Sequence, residues 1–489
     1  MRKLSPRRAV FSCLVPLLAS ACAVGPDYRK PGLPQTSAGA FVTRVEGTDP
    51  VSEVPADWWR LYNDPALNGL VKQALSANTD LRVASANLKK AQAVLGEARA
   101  VRLPSIGLSG GASYGNAVPG EAGIAQGGNG DGQLTGFAGG SLSWEVDLFG
   151  RVGRAIQAAR ADAEAVEAAR DAVRVTVAAE TTRAYLDACS YAFALDIARQ
   201  SYKTSSDSLA LVQVLERAGS LGKFDVERSA AAAATARSAI PALAGQRQVA
   251  LFELAALLGT TPSDVPEAAQ SCTKPPAPVS ALPVGDGAAL LRRRPDLREA
   301  ERTLAADTAR IGVATADLYP RISLGASGGY ASSTGSGGAS GFSFSLGPLI
   351  SWSFPNTAVA RSPVRQAEAQ GEAALATFDG RVVTALKEVE QALAGVAAEQ
   401  DRYNALAEAE RRSQQAYDFA RLRYRSGSVS NLAVLVAQAD LLATRSSYAA
   451  SLQRLSSARV SLFKALGGGW QQDAQATASI RPSTAGTQQ

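Results

Sequence analysis

The sequence has no histidine and, after Met1, no methionine among its 489 residues. The absence of histidine excludes Ser-His-Asp and Cys-His nucleophile pairs, histidine acid–base catalysis and every metal site that needs imidazole. The absence of internal methionine excludes soft-metal binding through thioethers. We therefore expect no enzymatic activity and no cofactor other than a covalent lipid.

The N-terminus has the features of a secretory signal. Basic residues precede an apolar stretch, Ala9 to Ala21, which is too short to span a membrane permanently. The string Leu18-Ala19-Ser20-Ala21-Cys22 then resembles a bacterial lipobox, with alanine at 19 where leucine is usual. We predict a signal peptide over residues 1–21 and lipidation of Cys22; ordinary cleavage that leaves this cysteine unmodified is the alternative.

Residues beyond the signal narrow the location and the partners. Ala23 is not the aspartate typical of inner-membrane retention, so we expect an outer-membrane lipoprotein in contact with lipid. The formal charge of +6 includes four basic signal residues, and 46 basic against 44 acidic residues remain without them. Because phosphate binding needs a concentrated basic face, we expect no nucleic-acid partner.

Cysteine usage fits export. Cys13 would leave with the signal peptide and Cys22 would be acylated, so Cys189 and Cys272 remain as one pair. The oxidising periplasm favours a disulfide between them, although two buried free thiols are the alternative. CxxC spacing is absent, which argues against a redox or zinc role.

The chain contains an internal repeat with an offset of 216 residues, which becomes 208 after a shorter loop in the second copy. Chance alanine matches are easy in this sequence, but proline, tryptophan, glycine and tyrosine at fixed offsets are not. The matches include Asp80-Leu81-Arg82 with Asp296-Leu297-Arg298, Pro104 with Pro320, Tyr114 with Tyr330, Ser143-Trp144 with Ser351-Trp352, and Gly219-Ser220 with Gly427-Ser428.

Each half contains two segments in which apolar residues alternate with serine and glycine. Phe342, Phe344 and Leu346, for example, alternate with Ser343 and Ser345. This pattern predicts strands with one apolar and one small polar face, and a length of ~10 residues suits a bilayer-crossing strand. Two G-x-S-x-G strings, at 111–115 and 325–329, resemble hydrolase elbows, but they continue this alternation and the serines lack a histidine base.

Long helices follow the strands. Residues 154–218 contain no glycine or proline, enough for about 100 Å of helix at ~1.5 Å per residue. Small and apolar residues recur at heptad spacing from Val177 to Val212, and we expect Thr181 and Ser205 to weaken this seam. Each long helix is expected to end at a tight turn, and a shorter returning helix follows each turn. Pro241 predicts a kink or break in the first returning helix.

These patterns divide the chain into six parts. They are the signal peptide 1–21, an N-terminal extended segment 22–62, repeat 1 at 63–261, a crossover linker 262–285, repeat 2 at 286–466 and a mobile tail 467–489. Strands are expected at about 103–116, 134–148, 320–332 and 341–354. Helical hairpins are expected at about 151–259 and 358–466, with tips near 219–222 and 426–430.

Four strands cannot close a membrane barrel, and open edges in lipid leave unpaired backbone groups. The smallest closed membrane barrels have about eight strands, so three chains of four strands are the simplest solution. The sequence therefore predicts a mixed α/β membrane protein: a homotrimer whose 12-stranded outer-membrane barrel continues into a long periplasmic α-helical barrel.

Several strings resemble the outer-membrane factor (TolC-like) family, in its lipoprotein branch that serves resistance-nodulation-division efflux pumps. The resemblance runs from about residue 22 to residue 470. The strings are Cys22-Ala23-Val24-Gly25-Pro26-Asp27-Tyr28, Trp58-Trp59, Asp64-Pro65-Ala66-Leu67, Arg293-Arg294-Pro295-Asp296-Leu297, Ile311-Gly312-Val313-Ala314 and Arg423-Tyr424-Arg425-Ser426-Gly427.

The resemblance implies a passive exit channel that docks through its helix tips to a periplasmic adaptor and an inner-membrane pump. The residues implied in docking are Arg217, Gly219, Ser220, Arg425, Gly427 and Ser428. Side chains just after the second tip would narrow the aperture. The candidates there are Leu432 and Val436, which stands where the family often has aspartate, with Asp440 and Asp225 as substitute carboxylates. Ordinary solvated helix charges are the alternative for both aspartates.

Two other function classes stay open. An exit duct for protein secretion would have a similar shape, and a structural or adhesive coiled-coil protein would share the heptad seam. The sequence does not name a transported substrate, since a serine- and glycine-rich barrel lining need not select its cargo.

Overall fold

The alternating and heptad segments form strands and helices in a computed structural model, which describes residues 23–32, 39–115, 132–278, 281–334, 340–352 and 357–470. The strands are β1 (Thr48–Asp49), β2 (Ser105–Gly115), β3 (Gln133–Val146), β4 (Leu282–Pro283), β5 (Arg321–Ser333) and β6 (Gly341–Ser351). The helices are α1 (Pro65–Ala77), α2 (Thr79–Ala100), α3 (Arg151–Arg217), α4 (Lys223–Leu257), α5 (Glu267–Gln270), α6 (Gly287–Arg293), α7 (Pro295–Ala316), α8 (Thr357–Arg425) and α9 (Asn431–Ala465). The predicted signal peptide and Cys22 lie outside these residues.

The same order of elements occurs twice along the chain. Two helices, two strands, a very long helix and a shorter returning helix form the first set, α1–α2–β2–β3–α3–α4. The second set is α6–α7–β5–β6–α8–α9. Between them, the crossover segment contributes β4, which pairs in parallel with β1 of the N-terminal segment.

The long helices α3 and α8 contain 67 and 69 residues, and the returning helices α4 and α9 contain 35 each. A kink or a break was expected at Pro241, and the break does not occur, because helix α4 continues through this residue. The proline is exposed, which lets water reach the carbonyl that loses its backbone partner. In the part of the chain that the structure describes, no helix carries an apolar stretch long enough to cross a membrane.

The chain divides into two compact units. Unit 1 comprises Met1–Pro31, Asn87–Glu167 and Glu299–Asp379, and unit 2 comprises Gly32–Ala86, Ala168–Arg298 and Gly380–Gln489. Strands β2, β3, β5 and β6 belong to unit 1. Helices α2, α3, α7 and α8 each contribute residues to both units.

Unit 1 contains an antiparallel sheet in the order β2-β3-β5-β6. Alternation places the apolar side chains on one face, and that face is uncovered: Leu108 is 87% exposed, and Phe344 and Leu346 are each 80% exposed. Among the described residues, the outer strands β2 and β6 each pair with a neighbour along one edge only. Both G-x-S-x-G strings lie within these strands rather than at a strand-to-helix elbow.

Unit 2 has an apolar core built around Trp58. Its indole stacks on the ring of Phe463 with a centroid separation of 4.6 Å, and both side chains are fully buried. The predicted mobile tail is wrong for residues 467–470, because this segment closes the core. The glycines fit against the indole, where a Cβ on Gly468 would lie 2.9 Å from Trp58 Cδ1, and Trp470 Nε1 donates to the carbonyl of Arg293 at 2.9 Å. Residues 471–489 lie outside the described residues.

A disulfide joins the crossover segment to the core of unit 2. Cys189 lies on α3 with its side chain fully buried, and it bonds to Cys272, which follows α5. The sequence separation is 83 residues, so the bond ties the crossover to a distant part of the chain. The Lys274 ammonium also lies over the ring of Phe193 at 5.6 Å from the centroid.

Candidate functional site

The turn after α3 is a Schellman motif. The Gly219 N–H donates to the carbonyl of Glu216 at 2.8 Å, and the Ser220 N–H donates to the carbonyl of Leu215 at 2.9 Å. These are the bonds that satisfy the last carbonyls of a helix when the next residue turns left-handed. Gly219 has φ of +74°, which explains the need for glycine at this position.

The turn after α8 repeats this geometry. The Gly427 N–H donates to Tyr424 at 2.9 Å and the Ser428 N–H donates to Arg423 at 2.9 Å, while Gly427 also has φ of +74°. The two halves of the chain therefore end their long helices in the same way.

The residues predicted for docking are all exposed at these two turns. They are Arg217, Gly219, Ser220, Arg425, Gly427 and Ser428. Arginines occupy the last turn of each long helix, where the partial negative charge of the helix end favours them. The tips therefore carry positive side chains and exposed backbone.

Three of the four aperture candidates share one face of α9. Leu432, Val436 and Asp440 are spaced four residues apart, and all three are exposed. Asp225 lies instead in the first turn of α4 and is half-buried. The structure therefore places three of the candidates on one helix face and the fourth on a different helix.

The opposite face of α9 is fixed to α3 through Gln438, which sequence reasoning did not single out for this role. Its side chain is 2% exposed. The amide Nε2 donates to Ser205 Oγ at 2.8 Å, and Ser208 Oγ donates to the amide Oε1 at 2.9 Å. The polar contacts thus lie two residues from both Val436 and Asp440, on the buried side of the same helix.

The two polar residues in the heptad seam of α3, Ser205 and Thr181, differ in their hydrogen bonding. We expected Ser205 to weaken the seam, but the residue is 1% exposed and its hydroxyl accepts the bond from Gln438, so the interruption is a specific polar contact. Thr181 is fully buried in the same seam, and its hydroxyl has no hydrogen-bond partner among the described residues. Only one of the two interruptions therefore carries the cost of an unsatisfied polar group.

In unit 1, Arg154 of α3 holds the chain that follows Cys22. Its guanidinium donates to the carbonyls of Val24 at 3.2 Å and Gly25 at 3.3 Å, and pairs with the Asp27 carboxylate at 2.8 Å. Gly25 also packs so closely on Gly312 that a Cβ would lie 2.5 Å from the Gly312 Cα. Residues 24–27 are therefore held by their contacts with Arg154 and Gly312 rather than free.

Tyr28 completes this attachment. Its hydroxyl lies 2.5 Å from Glu301 Oε1, and the Arg302 guanidinium lies 5.5 Å from the centre of its ring and pairs with the same carboxylate. Burial and then the bond to Glu301 raise the pKa of Tyr28 above its usual range. Burial alone would raise the pKa of Glu301, but hydrogen bonds from Arg302 and Tyr28 lower it overall. The tyrosine therefore stays neutral and the carboxylate stays charged.

The family resemblance included the Gly-Pro-Asp-Tyr string, but the residues that this string contacts were not predicted from the sequence. Gly312 and its counterpart in the first repeat, Gly96, look equivalent in the sequence, yet nothing lies within 4 Å of a Cβ built on Gly96. A glycine that is needed in only one copy of a repeat indicates a contact made once per chain. No such signal marks Arg154 or Glu301.

We predict that Gln438→Leu loosens the packing of α9 on α3. The substitution keeps the buried volume but leaves the Ser205 hydroxyl without its donor, at a cost of about 1–3 kcal/mol. Hydrogen exchange of the α9 amides should accelerate near residue 438. Adding Ser205→Ala should restore part of the protection, and Gln391→Leu on the exposed surface of α8 should change nothing. Unchanged exchange in Gln438→Leu contradicts the assigned contact.

Known proteins are similar to this chain over nearly its whole length. The family described as outer membrane efflux protein matches residues 70–260 and 288–468. Outer membrane protein OprJ of Pseudomonas aeruginosa is 31% identical over 483 residues, which cover 96% of this chain and 97% of OprJ. The toluene efflux pump outer membrane protein TtgC of Pseudomonas putida is 30% identical over 469 residues, which cover 93% of this chain and 94% of TtgC.

Among solved structures, the outer-membrane channel OprN is 35% identical and superposes with a TM-score of 0.81, covering 92% of this chain and 100% of that chain. The resemblance to the outer-membrane factor family is thereby confirmed. Two matches to the family, one for each half, agree with the order of elements that occurs twice. The chain belongs to the outer membrane efflux protein family.

Proposed function

We propose that the chain is the outer-membrane channel of a tripartite efflux system of the resistance-nodulation-division type. Three copies form a passive exit duct for drugs, toxic compounds or metal ions across the periplasm and the outer membrane. The relatives that are named for efflux pumps support this assignment. No enzymatic step is involved.

The observation that carries the proposal is the uncovered apolar face of the sheet. Trp144 and Trp352 lie at one end of this face, where their indoles donate to the carbonyls of Arg102 at 3.0 Å and Leu318 at 3.1 Å. The aromatic side chains at the other end are Tyr114, Tyr330 and Phe342. Aromatic residues at both ends of an apolar band are typical of strands that cross a membrane.

The height of this band suits a bilayer. From Leu134 to Trp144, ten residues along β3 span about 33 Å at ~3.3 Å per residue. A tilt of about 40° reduces this to about 25 Å, the height of the apolar band of outer-membrane barrels. The sheet is therefore proposed as the membrane-spanning part of the chain.

The free edges of the two outer strands are an argument for the proposed trimer. In lipid, the free edges of β2 and β6 would each leave a row of unpaired N–H and C=O groups, at several kcal/mol per group. Pairing β2 of one copy with β6 of the next satisfies both edges. Three copies then give a closed barrel of twelve strands and a ring of long helices that form the proposed periplasmic barrel.

Lipidation of Cys22 is part of the proposal. The segment after this residue is fastened to unit 1 by Arg154 and Tyr28, so an acyl chain on Cys22 would be held close to the attached segment. If the segment after Cys22 were exposed and freely moving, it would not fix the position of the lipid anchor. A fixed attachment supports a lipid-anchored channel.

The helix tips are proposed to dock the periplasmic adaptor and, through it, the inner-membrane pump. The exposed face of α9 is proposed to narrow the aperture, with Leu432 and Val436 forming apolar rings. Asp440 supplies a carboxylate ring one turn further along the helix. Asp225 can add charge from α4 but does not share this face.

We predict that deletion of the gene increases susceptibility to several unrelated drugs or metal ions, because toxic solutes lose their exit. Minimal inhibitory concentrations in the deleted and complemented strains measure this effect. The profile of secreted proteins is the paired measurement. Unchanged susceptibility with the loss of a secreted protein would instead identify a duct of a type I protein-secretion system.

We predict that Leu432→Ala combined with Asp440→Ala increases single-channel conductance in planar bilayers. The change removes apolar contact and charge from the proposed aperture together. A matched control is Leu422→Ala with Asp418→Ala, an exposed leucine and aspartate near the second tip on α8. Conductance equal to that of the unmodified channel removes both residues from the gate.

A further inference from the structure

The second face of the sheet is an almost uncharged polar wall. Serine, glycine and threonine dominate it, and several hydroxyls bond to each other, as in Ser113 with Thr135 and Ser327 with Ser345, both at 2.8 Å. Within the four strands, Glu145 and Arg321 are the charged residues, and both lie at the same end. Charge therefore offers little basis for selecting solutes along this wall.

Within the four described strands, Phe137 is the aromatic exception on this face. The register pairs it with Gly111 of β2 and Ala331 of β5, so its side chain lies on the serine–glycine side and not on the apolar side. The ring is 55% exposed. The alternation rule of the strand is broken at this residue, and no core within the described part of the chain covers it.

The neighbouring glycine explains how the ring is held. A Cβ built on Gly111 would lie 2.9 Å from Phe137 Cε1 and 3.3 Å from Cζ, so the ring covers the position that a larger residue would occupy. The ring therefore lies along the wall rather than projecting across the space in front of it. One face rests on the neighbouring strand, and the exposed area is available to a solute.

Leu349 is an aliphatic counterpart on the same face. It lies on β6 and pairs with Ser323, near the opposite end of the strands from Phe137. A Cβ on Gly325 would lie 3.1 Å from Leu349 Cδ1, so this side chain also rests on a glycine. Phe137 and Leu349 therefore present an aromatic and an aliphatic surface, each resting on a glycine of the same sheet face.

We propose that Phe137 is a contact site for aromatic organic cations on the wall of the channel. The inference rests on the proposed function, which makes this face the channel lining. A ring face attracts cations and stacks with other aromatic groups, whereas serine and glycine offer neither interaction. Because the ring lies along the wall, it should retain such solutes without narrowing the path for small ions.

The first experiment tests which face lines the channel. Single cysteine variants at Phe137 and at Ser109, on the same face, should react in whole cells with a membrane-impermeant thiol reagent. Leu346→Cys, on the apolar face, should not react. The native pair Cys189–Cys272 is a disulfide, and the protein without added cysteine gives the background. Reaction at Leu346→Cys but not at the other two contradicts the proposed membrane sheet, and the contact site with it.

The second experiment tests the contact site itself. In single-channel recordings with tetraphenylphosphonium, Phe137→Ser should shorten the residence time of the probe about two- to fivefold. Conductance for small ions should stay nearly unchanged, Phe137→Tyr should keep the long residence, and Leu349→Ser should leave it unaltered. Unchanged residence in Phe137→Ser, when the labelling pattern is as expected, overturns the contact site and leaves the channel function standing. A large rise in ion conductance also contradicts it, since the ring would then have been a constriction.

Discussion

The backbone at the two open edges of the sheet constrains the rest of the structure. β2 and β6 each have a neighbour along one edge only, and the apolar face between them is uncovered. Water penalises that face, and lipid penalises the edges because nothing there can bond to free N–H and C=O groups. In the proposed assembly, copies of the same chain supply the matching edges and lipid covers the apolar face, which removes both penalties.

The repeat explains how one chain supplies so much of the proposed duct. Each half contributes two strands, one very long helix and one returning helix, and each long helix ends in the same Schellman turn with glycine at φ +74°. The N-terminal segment breaks this symmetry. It lies against Gly312 and not against Gly96, so the attachment is made once in each chain.

Local pattern predicted much of the architecture. Period-two alternation over about 103–116 corresponds to β2 at Ser105–Gly115, because strand side chains alternate between faces. The run without glycine or proline corresponds to α3. The contacts that were missed join residues far apart in the chain, such as Gln438 with Ser205 or Arg154 with Gly25. Contacts between such distant residues produce no periodic pattern in the sequence. The packed segment 467–470 was predicted to be a mobile tail because its three glycines show no hydrophobic periodicity.

The central claim is that the sheet is completed only by other copies of the chain. The most direct measurement is the mass of the purified mature protein, taken by native mass spectrometry after release from detergent micelles. The account predicts a single species of three chains, which separates on heating in denaturing detergent. A folded single chain whose outer strands are already paired with each other would contradict it.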